Sequence, residues 1–407
     1  MDKVIAWWGK GIFVALCVSL IFLGTGPIEW SVPGAGVSAW SVSRTTFFIW
    51  LIWRLVVWFR YGGTELHFFK RAVPIPPILF FVGVTISLVP SFYRLADYRY
   101  FFLGAMHYLM ILDFCSDPKR WRLVFYLIAL LPGFLAVRGI LYDPLMLEVD
   151  QMRRFGYPLP HPNIAGYLFS MTLPLCLAVA VIEKGKMRAL ALLSGGGQLL
   201  ALILTYSRGS WLGWLASLFS FGVMLRRWRE IWVILTLVGL LLALASPLQE
   251  RLFSLANPQT DLSINERVQA MQDGLKLGLE HPFLGVGYGR GSLRAGLREQ
   301  HRIEATKYTH IAHTHNMYIE LFAQTGLLGL GAFLWLLCHI LAKTFGVANR
   351  LGDPDRIFRL GIAAAWIAFI VTGLGDVPFY HHEIRILFFT LLALTDTLPA
   401  AQTAARI

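Results

Sequence analysis

Residues 313–342 read HTHNMYIELFAQTGLLGLGAFLWLLCHILA, a polar His-Thr-His-Asn opening followed by a long apolar run. A hydrocarbon core of about 30 Å takes roughly 20 helical residues, and a helix pairs its own backbone polar groups where no water can. The run from 315 to 342 therefore predicts a membrane helix. The histidines at its mouth predict where polar chemistry meets the bilayer. Just before them lies the one long polar segment of the chain, from Pro247 to Ala312.

The rest of the sequence repeats the apolar pattern. Of 407 residues, 56% are hydrophobic, 14% aromatic and only 15% charged, with a mean hydropathy of +0.59. That is too apolar for an ordinary soluble domain. Further runs bounded by charges or Pro/Gly clusters fall near 4–24, 41–59, 74–93, 97–115, 121–141, 163–182, 187–206, 208–225, 231–247, 357–374 and 379–396. The reading is an all-α integral membrane protein with about 12 transmembrane helices. Nine spans occupy 1–246, a large loop 247–312, three spans 313–397, and a short cytoplasmic tail 398–407.

Basic residues set the orientation. Lys3, the group Arg60, Lys70 and Arg71, then Lys119, Arg120 and Arg122, then Lys184, Lys186 and Arg188, then Arg226, Arg227 and Arg229, and finally Lys343, Arg350, Arg356 and Arg359 fall on alternate connections. Cytoplasmic loops retain such charge, so both termini are expected inside and the large loop outside. Topology and anionic headgroups then account for the net charge of +12, with no separate basic domain for nucleic acid. The first apolar segment is expected to remain as a helix and not to be cleaved as a signal peptide. Cys17, Cys115, Cys176 and Cys338 lie in or beside spans and suggest neither a disulfide framework nor a thiolate metal site.

Within the large loop, Ile264, Val268, Met271, Leu275 and Leu279 recur at steps of three and four. They predict an amphipathic interfacial helix from Ser263 to Glu280, with Ser263 as N-cap, Glu266 completing a capping box and Arg267 in the first turn. The Gly-rich run 285–291 lacks the Lys-Ser/Thr pair of a phosphate loop and reads as a turn. Arg208, beside Tyr206 at the junction of the seventh and eighth spans, falls on the outer side, where basic residues are sparse. An arginine at membrane depth is functional by default, and its planar fork suits a phosphate. The outer face also collects Arg153 and Arg154, His161-Pro162-Asn163 with Asn163 as helix cap, Asp376, and Tyr380 to Arg385. His382 and Glu383 would make a metal pair only with a third ligand, so they are expected to play a structural or substrate-lining role, with no metal.

Taken in order on one membrane face, these motifs resemble the O-antigen ligase and polymerase superfamily. The carriers are His161-Pro162-Asn163, Thr205-Tyr206-Ser207-Arg208-Gly209, the late outer loop, and His315-Asn316 followed by Gly326 and Gly329. The resemblance implies a GT-C-like glycosyltransferase of a bacterial inner membrane, active at the periplasmic face. Its donor would be an undecaprenyl-pyrophosphate-linked glycan and its acceptor a lipid A-core sugar hydroxyl, with inverting, metal-independent transfer and no cofactor. It assigns His315 as catalytic base and Arg208 and Arg267 to the pyrophosphate. Asn316, His313, Tyr206, His161, Asn163, Asp376 and His382 are expected to line the site. The Asn-Gly spacing selects His315 over His313, which on a helix would point elsewhere. A polymerase using the same donor is the nearest alternative. A secondary transporter is the remote one, because no repeat relates the two halves. The short tail after the last span favours ligase or polymerase over a protein-glycosylating relative.

Overall fold

A computed structural model describes residues 2–25, 28–29, 36–37, 39–61, 73–91, 95–141, 146–149, 152–156, 159, 161–226, 262–300, 313–348 and 353–397, together with 229, 232, 233, 235 and 236. The predicted ninth span and much of the polar loop lie largely outside these residues. Helices α1 (Asp2–Thr25), α2 (Ala39–Tyr61), α3 (Ile75–Ile86), α4 (Leu95–Phe114), α5 (Pro118–Leu141), α6 (Pro162–Ile182), α7 (Gly185–Leu204) and α8 (Arg208–Leu225) come first. They are followed by α9 (Leu262–Glu280), α10 (Arg290–Gln300), α11 (Met317–Ala348), α12 (Asp353–Thr372) and α13 (His382–Asp396). Two short hairpins, β1 (Ile28–Glu29) with β2 (Gly36–Val37) and β3 (Met146–Val149) with β4 (Met152–Phe155), are antiparallel. Among the described residues, α1, α2, α5, α6, α7 and α11 are each long and apolar enough to cross a membrane. A helix also stands at the other described runs. The third predicted span is shorter than expected, because after Ile86 the chain tightens into a 3-10 turn at Val89–Ser91 that contains Pro90.

The core is built around α6, buried along nearly its whole length. It packs against α7, α12, α5 and α8, and α12 in turn packs against α8. Ala363, Ala364 and Ala365 are fully buried beside Trp366. Small side chains let helix backbones approach closely where no hydrophobic drive separates helix from lipid. Large apolar residues of the outer helices point away from this core, among them Trp7, Phe59 and Leu193, as a lipid-facing surface requires. The predicted inner loops meet at one end of the bundle. There Arg122 lies 3.3 Å from Asp355, the Tyr126 hydroxyl donates to Glu183 at 2.5 Å, and Arg356 reaches the Met224 carbonyl.

One break in α11 ties the late loop to the bundle. Gly326 has φ +62° and ψ −164°, a combination essentially restricted to glycine. An unbroken helix would pair the N–H groups of Leu327 and Leu328 with the carbonyls of Ala323 and Gln324. Here Leu327 N donates to Pro282 O at 2.7 Å and Leu328 N to Phe283 O at 3.4 Å. The released Ala323 and Gln324 carbonyls accept from Val286 N at 2.9 Å and Gly287 N at 3.0 Å. The buried backbone groups stay paired by exchanging partners with the loop. A side chain on Gly326 would collide with the Phe283 carbonyl and Leu284 N. Gly326→Ala should therefore cost on the order of 1–3 kcal/mol and free the 282–289 segment. Limited proteolysis with a melting curve checks this, and unchanged protection of the segment would contradict it.

Candidate active site

At the other end of the bundle, the turn after α12 gathers segments far apart in sequence. Its backbone accepts from two of them: Met317 N donates to Gly373 O at 2.8 Å and Asn316 Nδ2 to Leu374 O at 3.0 Å, while an Arg267 guanidinium nitrogen donates to Gly375 O at 3.2 Å. Its carboxylate, Asp376, accepts from Asn163 Nδ2 at 2.9 Å and from Val377 N at 2.9 Å. Asn163 in turn accepts from Arg154 at 2.9 Å, and Arg154 Nε donates to the Thr205 carbonyl at 2.8 Å. A continuous hydrogen-bonded path thus runs from the α7–α8 junction to the turn.

Asn163 can serve this path because it is not the helix cap. His161 occupies that position with extended backbone, its Nδ1 accepting from Asn163 N at 3.1 Å. Pro162 takes the first helical position, where a missing N–H costs nothing. The predicted cap therefore shifts back by two residues, and the Asn163 amide is left for Arg154 and Asp376.

His315 has φ +54°, so residues 313–316 form a turn and not a helix. This corrects the expectation that His313 points elsewhere: the two imidazoles meet edge to face with centroids 4.2 Å apart. Thr314 between them donates to Glu320 through its N–H at 2.6 Å and its hydroxyl at 3.0 Å. Asn316 caps α11, its Oδ1 accepting from Tyr318 N at 3.0 Å and Ile319 N at 3.1 Å. His315 Nδ1 lies 3.6 Å from Asp376 Oδ1, an ion-pair distance slightly beyond a hydrogen bond.

Arg267 reaches the site because of how α9 packs. Ala270, Asp273, Gly274, Leu277 and Gly278 are buried, and a Cβ on Gly274 would strike Thr314 while one on Gly278 would strike Phe322. Arg267 falls on this small-residue stripe, one turn earlier. The predicted apolar face is the outward one: Val268, Leu275 and Leu279 are exposed. Steps of three and four identified an amphipathic helix correctly, but close packing on α11 selected the glycine face. The helix begins at Leu262, so Ser263 lies in its first turn and does not precede it.

A cavity of about 690 Å³ opens here. His315, His313, Arg267 and Asp376 line it, as do His161, Asn163 and His382. Arg208 is not brought to its wall. It opens α8 half-buried, where the neighbouring Gly209 carbonyl accepts from Thr372 at 3.4 Å. Tyr206, at φ +51°, and Asn316 are likewise absent from the lining. Sequence reasoning missed Arg290, which sits in the Gly-rich run read only as a turn, and Asp97 and Tyr100, which were counted into a span.

Burial alone would raise the Asp376 carboxyl. The His315 imidazole, then His313 and Arg267, overcome that and hold it well below the usual carboxylate range. Burial lowers His313 to about 4, and Asp376 only partly opposes it. Ligand atoms of His313, His315 and Asp376 all lie within 4.8 Å of one another, and the Nδ1 atoms of both histidines are buried without a hydrogen-bond partner. Two imidazoles and a carboxylate form a donor set that suits a divalent ion, so the candidate metal trio is not built on His382 and Glu383.

Residues 189–334 match the family model described as O-antigen ligase. That stretch holds Arg208, Arg267 and His313 to Asn316, and leaves Arg154, Asn163 and Asp376 outside it. Exopolysaccharide production protein ExoQ of Rhizobium meliloti (strain 1021) is 27% identical over 154 residues, which are 36% of this chain and 34% of that protein. The chain thus spans about a third of that relative's length. The family resemblance read from the sequence is borne out over this stretch.

His313 gives a pH prediction. Its pKa is about 4 in the fold against an ordinary 6.5, so between those values the unfolded chain binds the extra proton and stability falls as pH drops. The loss for this buried ring reaches roughly 3 kcal/mol below the window. Asp376, depressed in the fold, loses its contribution only at lower pH, as its own folded pKa is crossed. In detergent, His313→Gln should lessen the fall in melting temperature between pH 6.5 and 4, and an unchanged slope would refute the assignment.

Proposed function

We propose that the protein transfers a glycan from undecaprenyl pyrophosphate to a sugar hydroxyl, with lipid A-core as the acceptor, at the periplasmic face of a bacterial inner membrane. One observation carries this reading: the His315 imidazole faces the buried Asp376 carboxylate in a cavity that Arg267 and Arg154 also line. Asp376 orients the ring and stabilises the positive charge it gains. His315 accepts the proton of the acceptor hydroxyl while that oxygen forms a bond to C1 of the donor sugar. The bond from C1 to the phosphate oxygen breaks, and its electron pair leaves with the carrier pyrophosphate. Attack from the face opposite the leaving group inverts the anomeric centre.

Arg267 is the principal pyrophosphate contact, because its planar guanidinium can meet two phosphate oxygens at once. Arg154 adds charge to the same wall. Arg208, at the α8 terminus and outside the cavity wall, is assigned the lipid-proximal phosphate on the family resemblance alone. Arginines at the departing group can supply the electrostatic stabilisation that other glycosyl transfers draw from a metal ion, so the reaction is metal-independent on this reading.

A polymerase is the second reading, favoured by the relative named for exopolysaccharide production. The donor would then also be the acceptor. Lipid-linked glycan alone yields a ladder if the protein is a polymerase, whereas product that needs lipid A-core marks a ligase.

Replacing His315 with Ala should lower transfer by about 10²- to 10⁴-fold in protein reconstituted into liposomes. Turnover near wild type would remove the base assignment. Transfer should also persist in excess chelator. Loss that a divalent cation restores would instead make His313, His315 and Asp376 a metal site.

A further inference from the structure

Glu320, in the first turn of α11, is 1% exposed and takes no part in the transfer step. A carboxylate held this far from water needs hydrogen-bond donors on its oxygens. Its Oε2 accepts from Thr314 N at 2.6 Å and from Thr314 Oγ1 at 3.0 Å, and its Oε1 accepts from Gln324 Nε2 at 3.0 Å. Thr314, between the two imidazoles, is fully buried. Its hydroxyl also donates to Asn316 O at 2.9 Å, which closes the turn across His315. His315 stands at φ +54°, a conformation that persists in a residue with a side chain only when its surroundings hold it. The bonds from Thr314 to Glu320 supply that hold from within α11.

The other oxygen acts on a second part of the cavity. Gln324 Oε1 accepts from Gly289 N at 2.9 Å, and its Nε2 also donates to the Tyr380 hydroxyl. The next residue, Arg290, donates its N–H to Asp97 Oδ2 at 2.8 Å and lines the cavity. One carboxylate therefore joins the histidine turn to the Gly-rich segment. Glu320 is absent from the cavity lining, so any effect it has on the chemistry passes through Thr314 and Gln324.

The direction of these bonds is fixed by the residue types. An ionised glutamate accepts at both oxygens, whereas glutamine accepts at one end and donates at the other. Glu320→Gln would give Thr314 N its acceptor but set the new amide nitrogen against Gln324 Nε2. Turning the Gln324 amide over only moves the clash of donors to Gly289 N. Adding Gln324→Glu removes it, because the second carboxylate accepts both from the new amide and from Gly289 N, and the Tyr380 hydroxyl rotates to donate.

We propose that Glu320 is a positioning residue for the transfer: its carboxylate fixes the turn that presents His315 to Asp376, and Gln324 extends that hold to the segment carrying Arg290. This rests on the glycan-transfer reading with His315 as base.

The test uses full-length protein in liposomes, with lipid-linked donor varied, acceptor saturating, and rates normalised to folded protein. Glu320→Gln should lower kcat about tenfold and leave donor KM within about threefold, and the double variant Glu320→Gln with Gln324→Glu should recover kcat to within about threefold of wild type. Gln324→Glu alone, which sets two carboxylates side by side, completes the cycle and should be slower than the double variant. A purely structural role would leave kcat per folded molecule unchanged. Thr314→Val keeps the backbone bond, loses the hydroxyl, and should lower kcat about threefold, so it decides the matter if Glu320→Gln does not fold. Wild-type kcat in folded Glu320→Gln, or in Thr314→Val should Glu320→Gln not fold, overturns the proposal, as does a fall that the double variant does not reverse. Wild-type protein that makes no product from donor, with or without lipid A-core, overturns the glycan-transfer reading and the proposal with it.

Discussion

The buried carboxylate of Asp376 is the interaction on which the site depends. A charge buried to this degree persists only if it is paired and hydrogen-bonded, and its partners come from three directions: Asn163 from α6, His315 from the mouth of α11, and Val377 from its own turn. The preceding carbonyls of Gly373, Leu374 and Gly375 hold Met317, Asn316 and Arg267. Satisfying one short turn therefore places the imidazole, the capping asparagine and a guanidinium around a single cavity. The strained backbone at His315 is held by the contacts of its neighbours Thr314 and Asn316.

A second constraint works at a distance from the chemistry. The break at Gly326 makes the loop after α9 a hydrogen-bonding partner of α11. That contact, together with the glycine face of α9, fixes Arg267 relative to the histidines. The spacing from His315 to Gly326 is thus mechanical as well as chemical: one end presents the imidazole and the other anchors the element carrying the arginine.

Much of this was legible in the sequence, and the limits have physical causes. Apolar runs locate helices because the bilayer imposes their length, and His315, Arg267 and Asp376 were reached through the set of motifs on the outer face, whereas the membrane-depth argument singled out Arg208, which the fold does not bring to the cavity wall. The face of α9 was misread because periodicity reports which residues are apolar, whereas packing at helix contacts here selects small ones. His313 was set aside on helical geometry that a positive φ at His315 abolishes. Asn163 was read as a cap because asparagine commonly is one, but Pro162 moved that role to His161. Arg290, Asp97 and Tyr100 carried no motif, and only the tertiary contact between α4 and α10 brings them together.

The most direct measurement is single-turnover glycan transfer by Asp376→Asn beside wild type, with donor affinity measured on the same preparation. Asparagine keeps the shape and the Asn163 contact but cannot stabilise a protonated imidazole. The chemical step should slow by about 10²-fold or more, while donor affinity holds or tightens because a negative charge has left the neighbourhood of Arg267. A wild-type rate in the substituted protein would contradict the dyad of His315 and Asp376 as the centre of the chemistry.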